Sequence, residues 1–393
     1  MANSYLERTP SGAGSRRKWT ISFWVKRSKL GVQTPLISTV QSSPANTYDE
    51  MYFNTSDKFQ FSTVYNNSQK AIRTSRVFRD TNAWYHIVFS YDTANSTDTD
   101  HAKLWINGVR ETVFEDTTLL ASGANDWDSS WNNSGNPMRI GYQSTNTASY
   151  FYGYMSHIAF VNDTVVAPTV FGETDSTSGI WKFKSPSGVT WGTNGFHLKM
   201  ENSGALGTDS SGQSSTFTVN GNLRQSIDTP SNVYPTLNVL AQTSGNTQID
   251  NGSLTFHMTS DAGQRMYLST LGADTGKWYY EAKLVAKGNT GGSVPYIGAF
   301  AYKNNTNTYV GSANGVGYNI NGNVYVAASD LGNSGTSYDN GDIIGCALDI
   351  TNSKIYFHKN GTYINSGNPS SGSNGYNISS ITAKGTLGLA VSL

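Results

Sequence analysis

Apolar and polar positions alternate with a period of two along much of this chain, and that period belongs to strands. The clearest example runs from Trp84 to Gly108. Tyr85, Ile87, Phe89 and Tyr91 alternate with His86, Val88 and Ser90. A polar run rich in Asn, Ser, Thr and Asp follows, and the chain returns through Lys103-Leu104-Trp105-Ile106 to Asn107-Gly108, a turn dipeptide that tolerates positive φ. The second half repeats the arrangement. Gly341–Asp349 reads as a strand, Thr351-Asn352-Ser353 as a turn, and Lys354–His358 as a returning strand that stops at Asn360-Gly361. Each copy is a long hairpin on which one sheet of a β-sandwich can be built. Trp19–Lys26 alternates equally well, and Pro35–Val40, Glu50–Asn54, Lys58–Tyr65, Lys70–Arg76 and Phe151–Asn162 read as further strands. No long helical period stands out.

The pattern predicts an all-β fold: two jelly-roll-like β-sandwich domains joined by a short β-rich connector. The boundaries are residues 1–170, 171–240 and 241–393. Residues 1–18 are polar and read as a solvated lead-in. The 171–240 stretch carries single short strands between Gly/Ser/Asp turns. It also holds Trp181, Trp191, Phe196 and Phe217, so it reads as a packed connector rather than a flexible linker.

Composition narrows the function. Of 393 residues only 14% are charged, and the 27 Lys and Arg balance the 27 Asp and Glu. That leaves no electrostatic footprint for nucleic acid or an anionic membrane. The single cysteine, Cys346, alternates with Ile344 and Leu348, which makes it a core thiol and excludes an internal disulfide or a cysteine-based metal cluster. The N-terminus lacks the apolar run of a secretory signal, and no apolar stretch is long enough to span a membrane. Synthesis in a cytoplasm is the expectation.

Four motifs in order, Trp84-Tyr85-His86-Ile87-Val88, Lys103–Gly108, Ile140-Gly141 and Phe151–Ile158, resemble the laminin-G-like branch of the concanavalin A-like lectin fold over about residues 15–170. Gly276-Lys277-Trp278-Tyr279-Tyr280-Glu281, Tyr296-Ile297-Gly298, Gly317-Tyr318 and the second hairpin resemble the SPRY domain over most of 250–393. The resemblance implies binding modules, SPRY domains generally being interaction domains whose loops bind proteins. The pairing of the two, after a Met-Ala-Asn-Ser-Tyr-Leu start, resembles virion proteins of marine bacteriophages. It implies a virion protein, displayed as a fibre, tail or capsid-decorating component. Its partners would be other virion proteins, copies of itself (a trimer if in a fibre) and a host-surface glycan.

Glycoside hydrolases on the lectin fold need two carboxylates across the scissile bond, and the Glu-x-Asp-x-Glu strand that supplies them in one branch is absent. A bacterial surface lectin or adhesin and a glycosidase are the alternatives; no catalytic residue is assigned. The strongest binding signal is the loop holding Asp126, Trp127, Asp128, Trp131 and Asn132, with Tyr142, Tyr150 and Tyr152 nearby. Indoles stack on the apolar faces of sugars while Asp and Asn pair with hydroxyls. No cofactor is implied except calcium, for which Asp98 and Asp100, and secondarily Asp126 and Asp128, are the candidate ligands.

Overall fold

The structure is a computed structural model that describes residues 4–41, 44, 46–143, 149–242, 247–259, 264–287, 294–302, 309–333 and 336–393. The chain divides into two compact units, Met1–Tyr234 and Pro235–Leu393. The first contains β1 (Tyr5–Arg8), β2 (Lys18–Arg27), β3 (Thr34–Gln41), β4 (Thr47–Phe53), β5 (Lys58–Tyr65), β6 (Ser68–Val77), β7 (Tyr85–Asp92), β8 (Ala102–Ile106) and β9 (Val109–Glu111). These are followed by β10 (Phe114–Asp116), β11 (Met138–Ile140), β12 (Tyr142–Gln143), β13 (Ser149–Tyr150), β14 (Gly153–Asn162), β15 (Gly172–Thr174), β16 (Trp181–Phe183), β17 (Phe196–Leu198) and β18 (Thr218–Asn220).

Two antiparallel sheets form the first sandwich. One has eight strands in the order β10-β6-β5-β4-β3-β11-β1-β18; the other has six, β17-β14-β2-β7-β8-β9. Alternate residues of both face one core. Trp19, Ile21, Phe23, Phe89, Leu104 and Ile106 come from the six-stranded sheet, and Ile37, Met51, Phe59, Phe61 and Ile72 from the eight-stranded one. The 84–108 hairpin forms as expected, with Phe89 opposite Leu104 and Ile87 opposite Ile106. Asn107 and Gly108 have φ of 50° and 77°, and the Asn107 side chain accepts a 2.7 Å bond from the His86 N–H. After β9 the chain leaves this sheet: β10 pairs with β6 of the other sheet, so the hairpin ends at Glu111.

Two further differences from the sequence reading concern edges. The stretch before residue 18 is no solvated lead-in, because β1 pairs with both β11 and β18. The 171–240 stretch is not a separate connector. Residues 171–234 belong to the first unit, where β17 pairs with β14 and Phe196, Leu198 and Phe217 enter the core. A buried ion pair pins its end: Lys26 Nζ lies 2.6 Å from Asp228, whose other oxygen accepts a 2.9 Å bond from the Trp84 indole. Pairing and hydrogen bonding together are what make such a buried charge tolerable.

The second unit continues with β19 (Leu237–Gln242), β20 (Thr247–Asp250), β21 (Thr255–Met258), β22 (Met266–Ala273), β23 (Lys277–Lys283), β24 (Tyr296–Ala301) and β25 (Gly315–Asn319). It ends with β26 (Asn323–Val326), β27 (Ser329–Asn333), β28 (Ile343–Asp349), β29 (Lys354–Lys359), β30 (Thr362–Tyr363), β31 (Tyr376–Asn377) and β32 (Leu387–Ser392). A seven-stranded sheet, β19-β22-β32-β24-β25-β26-β27, faces a sheet built on β23-β28-β29-β30. Ile344, Cys346, Leu348, Ile355 and Phe357 are buried in a core of its own. The hairpin turn repeats the first one's chemistry: Asn360 and Gly361 have φ of 50° and 87°, and Asn360 accepts a 2.8 Å bond from the Ile343 N–H. Among the described residues no helix is long and apolar enough to cross a membrane.

Candidate functional site

The outer face of the eight-stranded sheet is polar where the inner face is apolar. In Tyr48-Asp49-Glu50-Met51-Tyr52, Met51 is in the core and Glu50 points the other way, flanked two residues on either side by half-buried tyrosines. Register places Glu50 between Ser38 of β3 and Ser62 of β5. Gln143 donates its amide to Glu50 Oε2. The Gln143 carbonyl in turn accepts bonds of 2.8 Å from Gln33 and 3.2 Å from Ser149. Ser62 accepts from Gln60 at 2.9 Å and Gln69 at 3.2 Å.

Burial among these neutral dipoles penalises ionisation, and neighbouring Asp49 adds repulsion, so the Glu50 carboxyl is pushed up to about 7 against the opposing bond from Gln143. Burial likewise pushes the Tyr52 phenol up to about 12. The face therefore presents hydroxyls, amides and a carboxyl that is only partly ionised at neutral pH.

The same face continues across β11 and β1. Tyr142 stacks on Tyr5 with ring centroids 4.7 Å apart, and Tyr150 lies 4.9 Å from Tyr142. Arg139 sits 5.6 Å over the Tyr142 ring and pairs with Glu7 at 2.6 Å. Beyond Glu7 a polar cavity of about 370 Å³ is lined by Arg8, Thr9, Ser214, Thr216 and Thr218. Glu7 is the next carboxylate along this face, three strands from Glu50, or about 14 Å at the usual interstrand spacing. That exceeds the separation at which two carboxyls share one glycosidic bond.

The predicted loop is built differently. Trp131 is not a contact residue: it is fully buried, 4.5 Å from Trp19 and 5.7 Å from Phe61. Asp49, on the core side of β4, holds it by accepting the N–H groups of Ser130 and Trp131 at 2.5 and 3.2 Å. Full burial pushes that carboxyl up to about 7. Asn132 is also buried, donating to Asn162 at 2.8 Å and to the Ser15 carbonyl at 2.9 Å. Asp126 and Asp128 pair with Arg17 at 2.9 and 2.6 Å. Trp127 remains half-buried, donating to Thr63 at 3.2 Å, with Lys70 5.6 Å from its ring.

The eight residues thus separate. Trp131 and Asn132 plug the core, Trp127 sits half-buried at its edge, Asp126 and Asp128 pair with Arg17 at the surface, and Tyr142 and Tyr150 lie on the polar face. Tyr152 sits under Lys29 at 4.5 Å. Asp98 and Asp100 lie in one short turn and face His101 and Lys103 at 3.9 and 2.9 Å. Among the described residues no three His, Cys, Asp or Glu side chains are placed to hold a metal ion. Sequence reading missed Tyr48, Glu50, Tyr52 and Gln143. The signal for the first three was the Tyr-x-Glu-x-Tyr alternation within a strand, which puts all three on one face.

In the second unit the outer face of β23-β28-β29 carries a chain of polar contacts. The Tyr279 hydroxyl donates to Glu281 at 2.5 Å and meets His358 Nε2 at 2.6 Å. His358 lies flat over Gly345, where a Cβ would come within 2.0 Å of its ring.

Residues 2–171 match the family model described as the concanavalin A-like lectin/glucanases superfamily, and residues 277–393 match the SPRY domain. The chain carries a laminin-G-like domain followed by a SPRY domain. The SPRY domain of human HERC1 is similar at 18% identity with a TM-score of 0.30, covering 40% of this chain and 89% of that one. A heptameric SAP-like pentraxin from Limulus polyphemus is similar at 13% identity and a TM-score of 0.34, over 51% and 86% of the two chains. Domains LG4-5 of the mouse laminin α1 chain reach 10% identity and a TM-score of 0.32, over 99% and 79%. No curated protein sequence matches. Both domain types are typically non-catalytic binding modules. The laminin-G-like match ends at residue 171, so 172–234 of the first unit lies beyond it.

Proposed function

We propose that the protein is a non-enzymatic structural component of a bacteriophage virion, as a fibre, tail or capsid-decorating part, and that its laminin-G-like domain binds a host-surface glycan. The observation that carries the binding half is the polar face around Glu50. A saccharide offers many hydroxyls and no charge, and this face carries Ser, Gln and Tyr groups with a carboxyl that burial leaves only partly ionised at neutral pH. Tyr48 and Tyr52 flank it partly buried, supplying rings for the apolar sides of sugar units. A lone carboxyl supports binding over hydrolysis. The virion half is supported by the order of the two domains and by the chain's zero net charge, which suits close packing against other virion proteins or copies of itself, a trimer in a fibre.

The test uses a glycan array with wild-type protein, Tyr52→Ala and Tyr48→Ala. A glycan bound by the wild type at least tenfold more tightly than by either variant, with melting temperatures within a few degrees, is the expected result. Equal binding by all three, or none by the wild type, removes the glycan reading. Absence of the protein from purified particles removes the virion reading independently.

A further inference from the structure

Three imidazoles lie in a row across the outer face of the six-stranded sheet: His86 on β7, His157 on β14 and His197 on β17. Each is covered by one aromatic ring from residues 181–191. Trp181 stacks on His86 with centroids 6.0 Å apart, Phe183 on His157 at 3.6 Å and Trp191 on His197 at 5.8 Å. Trp181 can lie flat because Gly108 and Gly172 are beneath it; a Cβ at either would come within 2.5 Å of the indole. Val166, Val170, Val189 and Trp191 pack with Phe171 on Val88, Ala159 and Val161, closing the apolar part of this face.

The hydrogen bonds of His86 require a neutral imidazole. The Trp181 indole, a donor only, gives its N–H to His86 Nδ1 at 2.9 Å, so that nitrogen carries no proton. His86 Nε2 then donates to Ser22 at 2.8 Å. Protonation would set N–H against N–H at the Trp181 contact. His157 Nδ1 is buried with no partner among the described residues, and its ring is 5.9 Å from His197.

The groups facing these rings oppose a positive charge on balance. Lys199 acts on both His157 and His197, and His157 acts on His86. Asp209, which accepts the His197 backbone N–H at 2.9 Å, is the carboxylate that favours it. Lys26, next along β2, is neutralised by Asp228. On the covering segment Lys182 is engaged by Asp175 and Glu173, and Lys184 donates to the Thr169 carbonyl.

We propose that residues 172–191 are an acid-releasable strap, held down by three neutral imidazoles and let go when these are protonated, uncovering the apolar outer face of the sheet. Burial agrees with this geometry, holding His86 near 3 and His157 and His197 near 4. The strap's grip is therefore complete above the ordinary histidine range and is lost as pH falls toward those values.

Hydrogen exchange of the full chain, corrected for intrinsic rates, tests this. Between pH 7 and pH 4 the amides of 172–191 should lose at least tenfold in protection while those of Phe23 and Phe89 stay protected. A triple variant, His86→Asn with His157→Phe and His197→Phe, should keep its strap protected at pH 4. Strap and core losing protection together, or a folded triple variant releasing at the wild-type pH, overturns the proposal. Should the triple variant not fold, wild-type imidazole resonances decide. Titration coincident with strap release supports the strap, and titration near pH 6.5 with the strap still protected overturns it.

Discussion

The two outer faces of the first sandwich are made from the same kind of strand and solve opposite problems. The face of the eight-stranded sheet is polar, and around Glu50 its side chains are buried against one another. Its Ser38, Glu50, Gln60, Ser62 and Gln143 bond mainly to one another and to nearby backbone, so it needs no cover. The face of the six-stranded sheet carries Trp24, His86, Val88, Trp105 and Val161, and the chain lays 172–191 over it. An antiparallel sheet can meet water on one side only if that side is polar. The lesson is that the polar face satisfies its own groups while the other face had to be covered to become part of the fold. Their ionisable groups contrast in the same way. Burial raises the acid on the polar face and lowers the histidines on the covered one, and in both cases it favours the neutral form.

The largest expected effect comes from the core that both faces share. Trp131→Ala should cost about 3–5 kcal/mol, lowering the melting temperature and weakening glycan binding and strap protection together. A variant that keeps its melting temperature but loses binding would return Trp131 to the surface and break the contrast.

A smaller effect separates the faces by pH. The folded pKa of Glu50 is raised, so its contribution favours folding at low pH and is lost as pH rises from about 4 through about 7. Glu50→Gln should therefore match wild type near pH 4 and be about 3 kcal/mol more stable at pH 8. The histidines act with the opposite sign over an overlapping range, their folded values being lowered. Chemical denaturation at the two pH values checks this; a variant less stable at pH 8 would show that the polar face holds its carboxylate ionised and paired.

The smallest effect belongs to Trp127, half-buried at the edge of the plug and on neither face. Trp127→Ala should lose about 0.5–1 kcal/mol, close to the range of surface substitutions, with glycan affinity unchanged. A tenfold loss of affinity in that variant would move the binding site from the sheet face to the loop.

Much of this architecture was legible in the residues. Period-two alternation located Trp19–Lys26, both hairpins and their buried sets, and the two Asn-Gly turns adopt the positive φ that dipeptide tolerates. Local backbone preference and one-sided burial act within a few residues, so they are readable one strand at a time. What alternation cannot say is which side of a strand meets the core and which meets water or another segment.

That was decided by tertiary structure. Glu50 reads as one more polar strand residue until β3, β5 and the β12–β13 hairpin surround it with Ser38, Ser62 and Gln143, from as far as 93 residues away. Trp131 reads as loop until Asp49 draws its backbone inward, 82 residues distant. The 171–234 stretch reads as a connector because each strand in it is too short to bury a core alone; it is stable because β14 and β1 lend it edges to pair with. Burial depends on neighbours distant in sequence, and burial sets which aromatic rings anchor, which carboxyl stays neutral and which face is left for a ligand.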